Sequence, residues 1–409
     1  MGLLRSADKI RVIKVDNTVG NNFYGLTIKD GLINIFIPET LDLSAGDDYF
    51  VNDVLLYLKS IELAKNNSYE NHDYYTETNC LNSSGVQSCL WLIKDYYKNG
   101  LYKNEEYIYK LNKNGKINWK KTLEQLQPVI SDGNLIYKDF IFETKRFADN
   151  EIVNIHKMCI KLSFDLLGWL FNVDSTFLNL DLEPYPNVKY CIDILNKEIF
   201  NTFNDNKRSM LMHMKNVLLD NDFIDIGNGI VFGTYNYNYA FEKMIDVVYG
   251  NVSNKSEFYP YSTWELKFNN QLYHGSDMRP DTIYKSDNNI YVIDAKYYRY
   301  GYTANPKDLP GTSSIQKQIT YGDYIIANNP NKKIFNIFLL PYNKENNNFE
   351  TDKNLLYVGN SIVSWKNGNN SHDKVFTFLI DFKYLMYLWD RKFNSTQNIK
   401  EIIDYMNNM

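Results

Sequence analysis

The polar tetrapeptide Ser286-Asp287-Asn288-Asn289 separates two β-prone runs, Asp281 to Lys285 and Ile290 to Lys296, and a hairpin is the local structure that suits this pattern. If Asp287 and Asn288 form a two-residue loop, the register follows: Ser286 opposite Asn289, Lys285 opposite Ile290, and finally Asp281 opposite Asp294. A loop at Asn288-Asn289 sets Asp281 opposite Lys296 instead, and a three-residue loop breaks the parity of faces unless a bulge restores it. Ile290, Val292 and Ile293 give the second run apolar residues on both faces, as a central strand requires.

The register carries chemistry. Directly opposed residues on one sheet face have Cβ atoms about 4.5–5.5 Å apart, close enough for two carboxylates to share one divalent cation. Lys296 lies two residues beyond Asp294 and emerges on the same face. Facing like charges destabilise a sheet unless positive charge stands between them, and a cation together with Lys296 fills that place. The acid-x-Lys spacing alone has little weight, because it recurs at Glu143-Thr144-Lys145, Glu265-Leu266-Lys267 and Asp381-Phe382-Lys383. With 49 acidic and 44 basic residues in the chain, such a triplet more often marks a solvated strand end. The opposed Asp281, preceded by Pro280, is what raises Asp294 and Lys296 to site candidates.

Pro280-Asp281 followed by Asp294-Ala295-Lys296 resembles the PD-(D/E)XK nuclease superfamily, whose members place these residues on adjacent strands of a mixed sheet flanked by helices. The resemblance implies that Asp281, Asp294 and the backbone carbonyl of Ala295 bind Mg²⁺ (or Mn²⁺), with Lys296 positioning the attacking water and stabilising the transition state. Members often add an acid from a preceding helix. Glu242, in Tyr239-Ala240-Phe241-Glu242-Lys243-Met244, is the candidate here, with an ordinary exposed helix glutamate as the equal alternative. Downstream, Ser313 to Tyr321 reads as a Ser-capped helix in which Gln318 and Tyr321 share a face. They resemble the Gln and Tyr that members bring near the metal; core packing for Tyr321 and solvent for Gln318 is the competing account.

At 409 residues the chain exceeds what one core organises, and hydrophobic content of 44% argues against extensive disorder. Ile10 to about Ile37 reads as a small β-rich unit, followed by amphipathic helices over VNDVLLYLKSIELAK and VQSCLWLIKDYYKNG, the latter closed by Gly100. From Tyr107 to Phe142 strand character returns around Asn114-Gly115, a strong hairpin signal, with Trp119 as a core or hairpin residue. Glu151 to Leu219 is mostly helical, and the polar run Asn204 to Arg208 marks a boundary. After Ile226, strands and helices alternate as in an α/β core. The expected division is an α+β domain over 1–150 that binds a partner, a helical linker region over 151–204, and an α/β PD-(D/E)XK-like nuclease domain over 205–409.

A wider resemblance adds to this. Gly115-Lys116-Ile117-Asn118-Trp119-Lys120-Lys121-Thr122, Leu167-Gly168-Trp169, Phe232-Gly233-Thr234 before Phe241-Glu242, and Lys317-Gln318 with Tyr321 look like the LlaJI restriction endonuclease family, itself similar to McrC, the nuclease subunit of modification-dependent restriction systems. The resemblance implies DNA as substrate and a McrB-like AAA+ GTPase as partner. In keeping with that, the chain has no G-x-x-x-x-G-K-[ST] phosphate loop. A net charge of -5 means that any DNA surface is a local patch. Cys80, Cys89, Cys159 and Cys191 lack C-x-x-C pairing and no histidines cluster with them, which argues against zinc. No signal-peptide core and no membrane-length apolar window are present, so the expected location is cytoplasmic, with no membrane contact. Two other functions compete with the nuclease: a regulatory subunit that only stimulates a GTPase, and a DNA-repair nuclease.

Overall fold

A computed structural model describes residues 10–16, 23–29, 32–66, 85–102, 104–131, 133–148, 151–171, 187–219, 230–268, 270–392 and 395–407. Its contacts separate into two compact units, Met1–Cys80 with Asp222–Met409, and Leu81–Asn221. In chain order the first unit begins with β1 (Ile10–Val15), β2 (Tyr24–Lys29), β3 (Leu32–Pro38) and α1 (Asp47–Asn66). The second unit holds α2 (Gly85–Asn99), β4 (Asn104–Leu111), β5 (Lys116–Ile117), α3 (Trp119–Gln125), β6 (Val129–Ser131), β7 (Asn134–Ile136), β8 (Ile141–Ala148), α4 (Glu151–Leu167), α5 (Val188–Asn201) and α6 (Asp205–Leu219). The first unit then resumes with β9 (Ile230–Thr234), α7 (Tyr237–Tyr249), β10 (Thr263–Leu266), β11 (Gln271–His274), β12 (Thr282–Lys285), β13 (Asn289–Ala295), α8 (Tyr300–Thr303) and α9 (Thr312–Asn328). It ends with β14 (Lys333–Tyr342), β15 (Leu355–Ile362), β16 (Lys374–Asp381), α10 (Phe382–Asp390), α11 (Ser395–Asn398) and α12 (Lys400–Asn407).

The expected boundaries at 150 and 204 do not follow this grouping. Strand β2 pairs with β9 across the whole of the second unit, in a sheet of order β1-β3-β2-β9, and that pairing binds the β-rich start of the chain to its C-terminal half. The approach is close: a Cβ on Gly25 would lie 2.1 Å from the Phe232 carbonyl oxygen. Helix α1 packs on α7, where Ser60 Oγ meets the Tyr237 hydroxyl at 2.5 Å. Arg299, three residues past Lys296, forms a bidentate pair with Glu39 at 2.8 and 2.9 Å. Asn204, read as a boundary, instead caps α6, its Oδ1 accepting from Lys207 N at 3.0 Å.

A second correction concerns Asn114-Gly115, which does not close a hairpin. Strands β4 and β5 lie on opposite sides of β8, in the order β4-β8-β5. Gly115 is needed for passage over β8, where a Cβ would sit 2.6 Å from the Glu143 carbonyl oxygen. The hairpin forms further on, where β6 and β7 pair around Gly133 at φ +79°. Trp119 is neither core nor hairpin: it opens α3, is 56% exposed and meets Phe140 edge-on. Gly100 does close α2, with φ +72° and its amide on Tyr96 O at 2.9 Å. Cys89, Cys159 and Cys191 are buried and take part in no disulfide among the described residues, and Cys80 lies outside them.

The sheet that contains the Ser286–Asn289 hairpin has five strands in the order β12-β13-β14-β16-β15. Strands β13, β14 and β16 run parallel to one another, and antiparallel β12 and β15 form the edges. The near-continuous apolar runs of β13, β14 and β16 make them the interior strands. Ile283, Ile290 and Val292 pack with Tyr321 and Ile325 of α9. The first unit is thus mixed α/β, and no helix among the described residues is long and apolar enough to cross a membrane.

Candidate active site

Strands β12 and β13 pair with Lys285 opposite Ile290, Tyr284 opposite Tyr291, Ile283 opposite Val292 and Thr282 opposite Ile293. Ser286 N donates to Asn289 O at 2.9 Å, closing the loop at Asp287-Asn288. One step beyond Thr282, the same register brings Asp281 across from Asp294, and Asp281 Oδ2 accepts from the Ala295 amide at 2.9 Å. The register that sets Asp281 opposite Lys296 is therefore not adopted.

Asp294 is 1% exposed, yet neither of its oxygens accepts a hydrogen bond of ordinary geometry; the Lys296 ammonium contacts Oδ2 as an ion pair. Burial, and then the charge of Asp294, push the Asp281 carboxyl well above the usual carboxylate range. Burial also raises Glu242 on α7, and the Asp294 charge adds to it, while Lys296 and the exposed Lys317 pull the other way. Burial alone would lower the Lys296 ammonium, but Asp294 and then Asp281 more than offset this and raise it. These directions place Asp281, Asp294, Glu242 and Lys296 within one electrostatic cluster: three carboxylates with the half-buried Lys296 ammonium among them. A buried carboxylate held by one ammonium and facing a second carboxylate is a donor set that a hard divalent cation takes.

Gln318 and Tyr321 of α9 are both fully buried. Gln318 Nε2 donates to Val292 O at 2.7 Å, two residues before Asp294, and its Oε1 is without a partner. The Tyr321 hydroxyl donates to Arg279 O at 2.8 Å, two residues before Asp281. Gln318 thus holds β13 by its backbone and Tyr321 the segment just before β12, so Gln318 is not a solvent residue and Tyr321 combines core packing with a tether. The helix begins at Thr312 after Gly311, with no side-chain cap, rather than at a Ser cap.

Sequence reasoning missed Asn251 and Lys255, between α7 and β12. Lys255 Nζ donates to Asp281 O at 2.5 Å and to Asp246 Oδ1 at 2.6 Å, and Asn251 bonds both backbone groups of Lys285 at 2.8 Å. No local pattern marks them, because most of their partners are backbone atoms of a strand distant in sequence. A further acidic group, Asp323, His372 and Asp373, has ligand atoms within 4.8 Å of one another. Lys366 already fills it, at 2.7 Å from Asp323 and 3.3 Å from Asp373.

A model of the LlaJI restriction endonuclease family matches residues 23–358. The chain belongs to that family. Its match takes in β2, the second unit and the hairpin with Asp281, Asp294 and Lys296. This LlaJI-family chain is 24% identical over 266 residues to the type II restriction enzyme BsuMI component YdjA of Bacillus subtilis (strain 168). The match covers 61% of the chain and 57% of the relative, so little more than half of the relative's length is spanned. Among solved structures, the half-complex from the tetradecameric assembly of Thermococcus gammatolerans McrB AAA+ hexamers with bound McrC is similar at 13% identity and TM-score 0.44, over 93% of this chain and 83% of that one. The McrBC complex of the same organism is similar at 9% identity and TM-score 0.27, over 55% and 65%.

Proposed function

We propose that the chain is the nuclease subunit of a restriction system, hydrolysing DNA phosphodiester bonds with a divalent cation in a PD-(D/E)XK-like C-terminal domain. The observation that carries this reading is the hairpin that sets Asp281 beside Asp294 with Lys296 ion-paired to the latter. Asp281, Asp294, the Ala295 carbonyl and Glu242 would hold Mg²⁺ or Mn²⁺. A bound divalent cation supplies a lowered pKa for water and an offset to charge on the phosphate. Lys296 would orient the attacking water and stabilise charge developing on the phosphate oxygens, a role for which its retained ammonium suits it. Gln318 and Tyr321 act through the hairpin backbone and hold the two aspartates at their separation.

The partner in this reading is a McrB-like AAA+ GTPase. Its support is the sequence resemblance to McrC and an apolar hairpin in the second unit, where Val129, Ile130, Leu135 and Ile136 are all exposed. The purified chain is expected to leave methylated and unmethylated plasmid DNA largely intact with Mg²⁺ alone, and to cleave once a McrB-like GTPase partner and GTP are added. Robust site-specific cleavage by the chain alone would refute the division of labour; no cleavage under any of these conditions would refute the nuclease reading.

The raised carboxyls give a further expectation. A folded-state pKa above the unfolded value means that the folded chain holds a proton the unfolded chain has released, so metal-free stability falls as pH rises from the ordinary carboxylate range through the raised values of Asp281 and Glu242. A cation bound to the ionised carboxylates opposes that loss and competes with protons. The rise in Tm on adding Mg²⁺ should therefore be larger at pH 8 than at pH 5, and a rise independent of pH across that window would count against these ligands.

A further inference from the structure

Strand β12 is an edge of the five-stranded sheet, and an edge strand ordinarily leaves its outward backbone groups to solvent. Here the segment after α7 occupies them in sequence. Lys255 Nζ bonds Asp281 O at 2.5 Å, Asn251 N bonds Ile283 O at 3.2 Å, and the Asn251 side chain bonds Lys285 N and O at 2.8 Å. Residues 281, 283 and 285 alternate along the edge, so every second residue of the strand is tied to the same short connection. Gly250 keeps that connection close: a Cβ there would lie 2.6 Å from Asp246 O and 3.3 Å from the Thr282 methyl.

Lys255 also bonds Asp246 Oδ1 at 2.6 Å, with its side chain only 12% exposed. Asp246 lies four residues after Glu242, one turn along the same face of α7. One ammonium group therefore joins the helix that carries Glu242 to the backbone of Asp281, although the two acids come from elements with no hydrogen-bonded ladder between them. We propose that Lys255 is a positioning residue for the divalent-cation site: bridging Asp246 and the Asp281 carbonyl, it sets the distance between the Glu242 and Asp281 carboxylates. This rests on the metal-site reading above. Outer groups that orient ligands in this way typically change metal affinity by about 10- to 100-fold when removed.

The test uses the full chain and Mn²⁺ itself, with free Mn²⁺ followed by its EPR signal during titration, and thermal melts of the metal-free proteins. Lys255→Met is expected to weaken Mn²⁺ binding by roughly 10-fold or more. Lys255→Arg, which keeps the charge and two donors, should recover most of the loss. Asp246→Asn, which loosens α7 but leaves the bond to Asp281, should weaken binding less than Lys255→Met. A residue that served stability alone would lower the Tm without moving Mn²⁺ affinity. Wild-type affinity in Lys255→Met, with Asp294→Ala unable to bind, would overturn the proposal and leave the metal site standing. If Lys255→Met did not fold, wild-type affinity in Asp246→Asn would overturn it equally. Failure of the wild-type chain to bind Mn²⁺, or undiminished binding by Asp294→Ala, would overturn the metal site and this proposal together.

Discussion

Asp294→Ala and Lys296→Ala are each expected to lower DNA cleavage by at least roughly 10²–10³-fold, the contribution of a single electrostatic group aimed at developing charge. Asp294 is the stronger case, since it is proposed both to hold the cation and to keep Lys296 in place. The fold should survive. Removing Asp294 takes one of three mutually repelling carboxylates out of the cluster, and the Lys296 ammonium retains Asp281 as a counter-charge. In metal-free buffer the Asp294→Ala variant should melt at or above the wild-type temperature, and it should lose the Mg²⁺-induced rise. Plasmid cleavage in the presence of the GTPase, read beside thermal melts, separates the two effects. Wild-type cutting rates in both purified variants would reject the site.

Deleting residues 1–80 is expected to leave the C-terminal half unfolded, whereas replacing residues 81–221 with a flexible linker should leave a folded, cation-binding unit. Leu26, Ile35, Ile37, Val54, Leu58 and Ile61 are all 1% exposed or less. At ~1.5–3 kcal/mol for each of these six side chains, their loss amounts to roughly 9–18 kcal/mol, against a typical domain stability of ~5–15 kcal/mol. Their removal also strips β9 of its strand partner and uncovers Phe232, Tyr237 and Phe241, all buried to 1% or less. Circular dichroism and Mn²⁺ titration distinguish the outcomes. A folded fragment after deletion of 1–80, or an unfolded one after excision of 81–221, would show that the two units are divided elsewhere. The excised protein should also lose the partner, if the second unit carries that contact.

What could be read from the chain alone was local. The register from Lys285 and Ile290 to Asp281 and Asp294 follows from one two-residue loop and the period of a strand, so the hairpin was legible. Helices α1, α2, α4 and α5 were legible from apolar periodicity, and the end of α2 from Gly100. The pairing of β2 with β9 was not, because nothing near Tyr24 encodes a partner beyond Ile230. The Asn114-Gly115 signal misled for a related reason: the turn chemistry is real, but both flanking strands found a better neighbour in β8 than in each other. Lys255 escaped notice since a lysine that serves a backbone carbonyl leaves no motif.

The interruption of the first unit by the second has a consequence for synthesis. About 200 residues separate β2 from β9, so at a translation rate of ~5–20 residues per second the opening strands wait roughly 10–40 s for the strand that completes their sheet. The second unit, contiguous in sequence, is free to fold during that interval. Asp281 and Asp294 are made later still, and the sheet that holds them needs β16, which ends at Asp381. The proposed site can thus be assembled only after β16 has been made, and a product that stops before Asp381 lacks part of the sheet that holds Asp281 and Asp294.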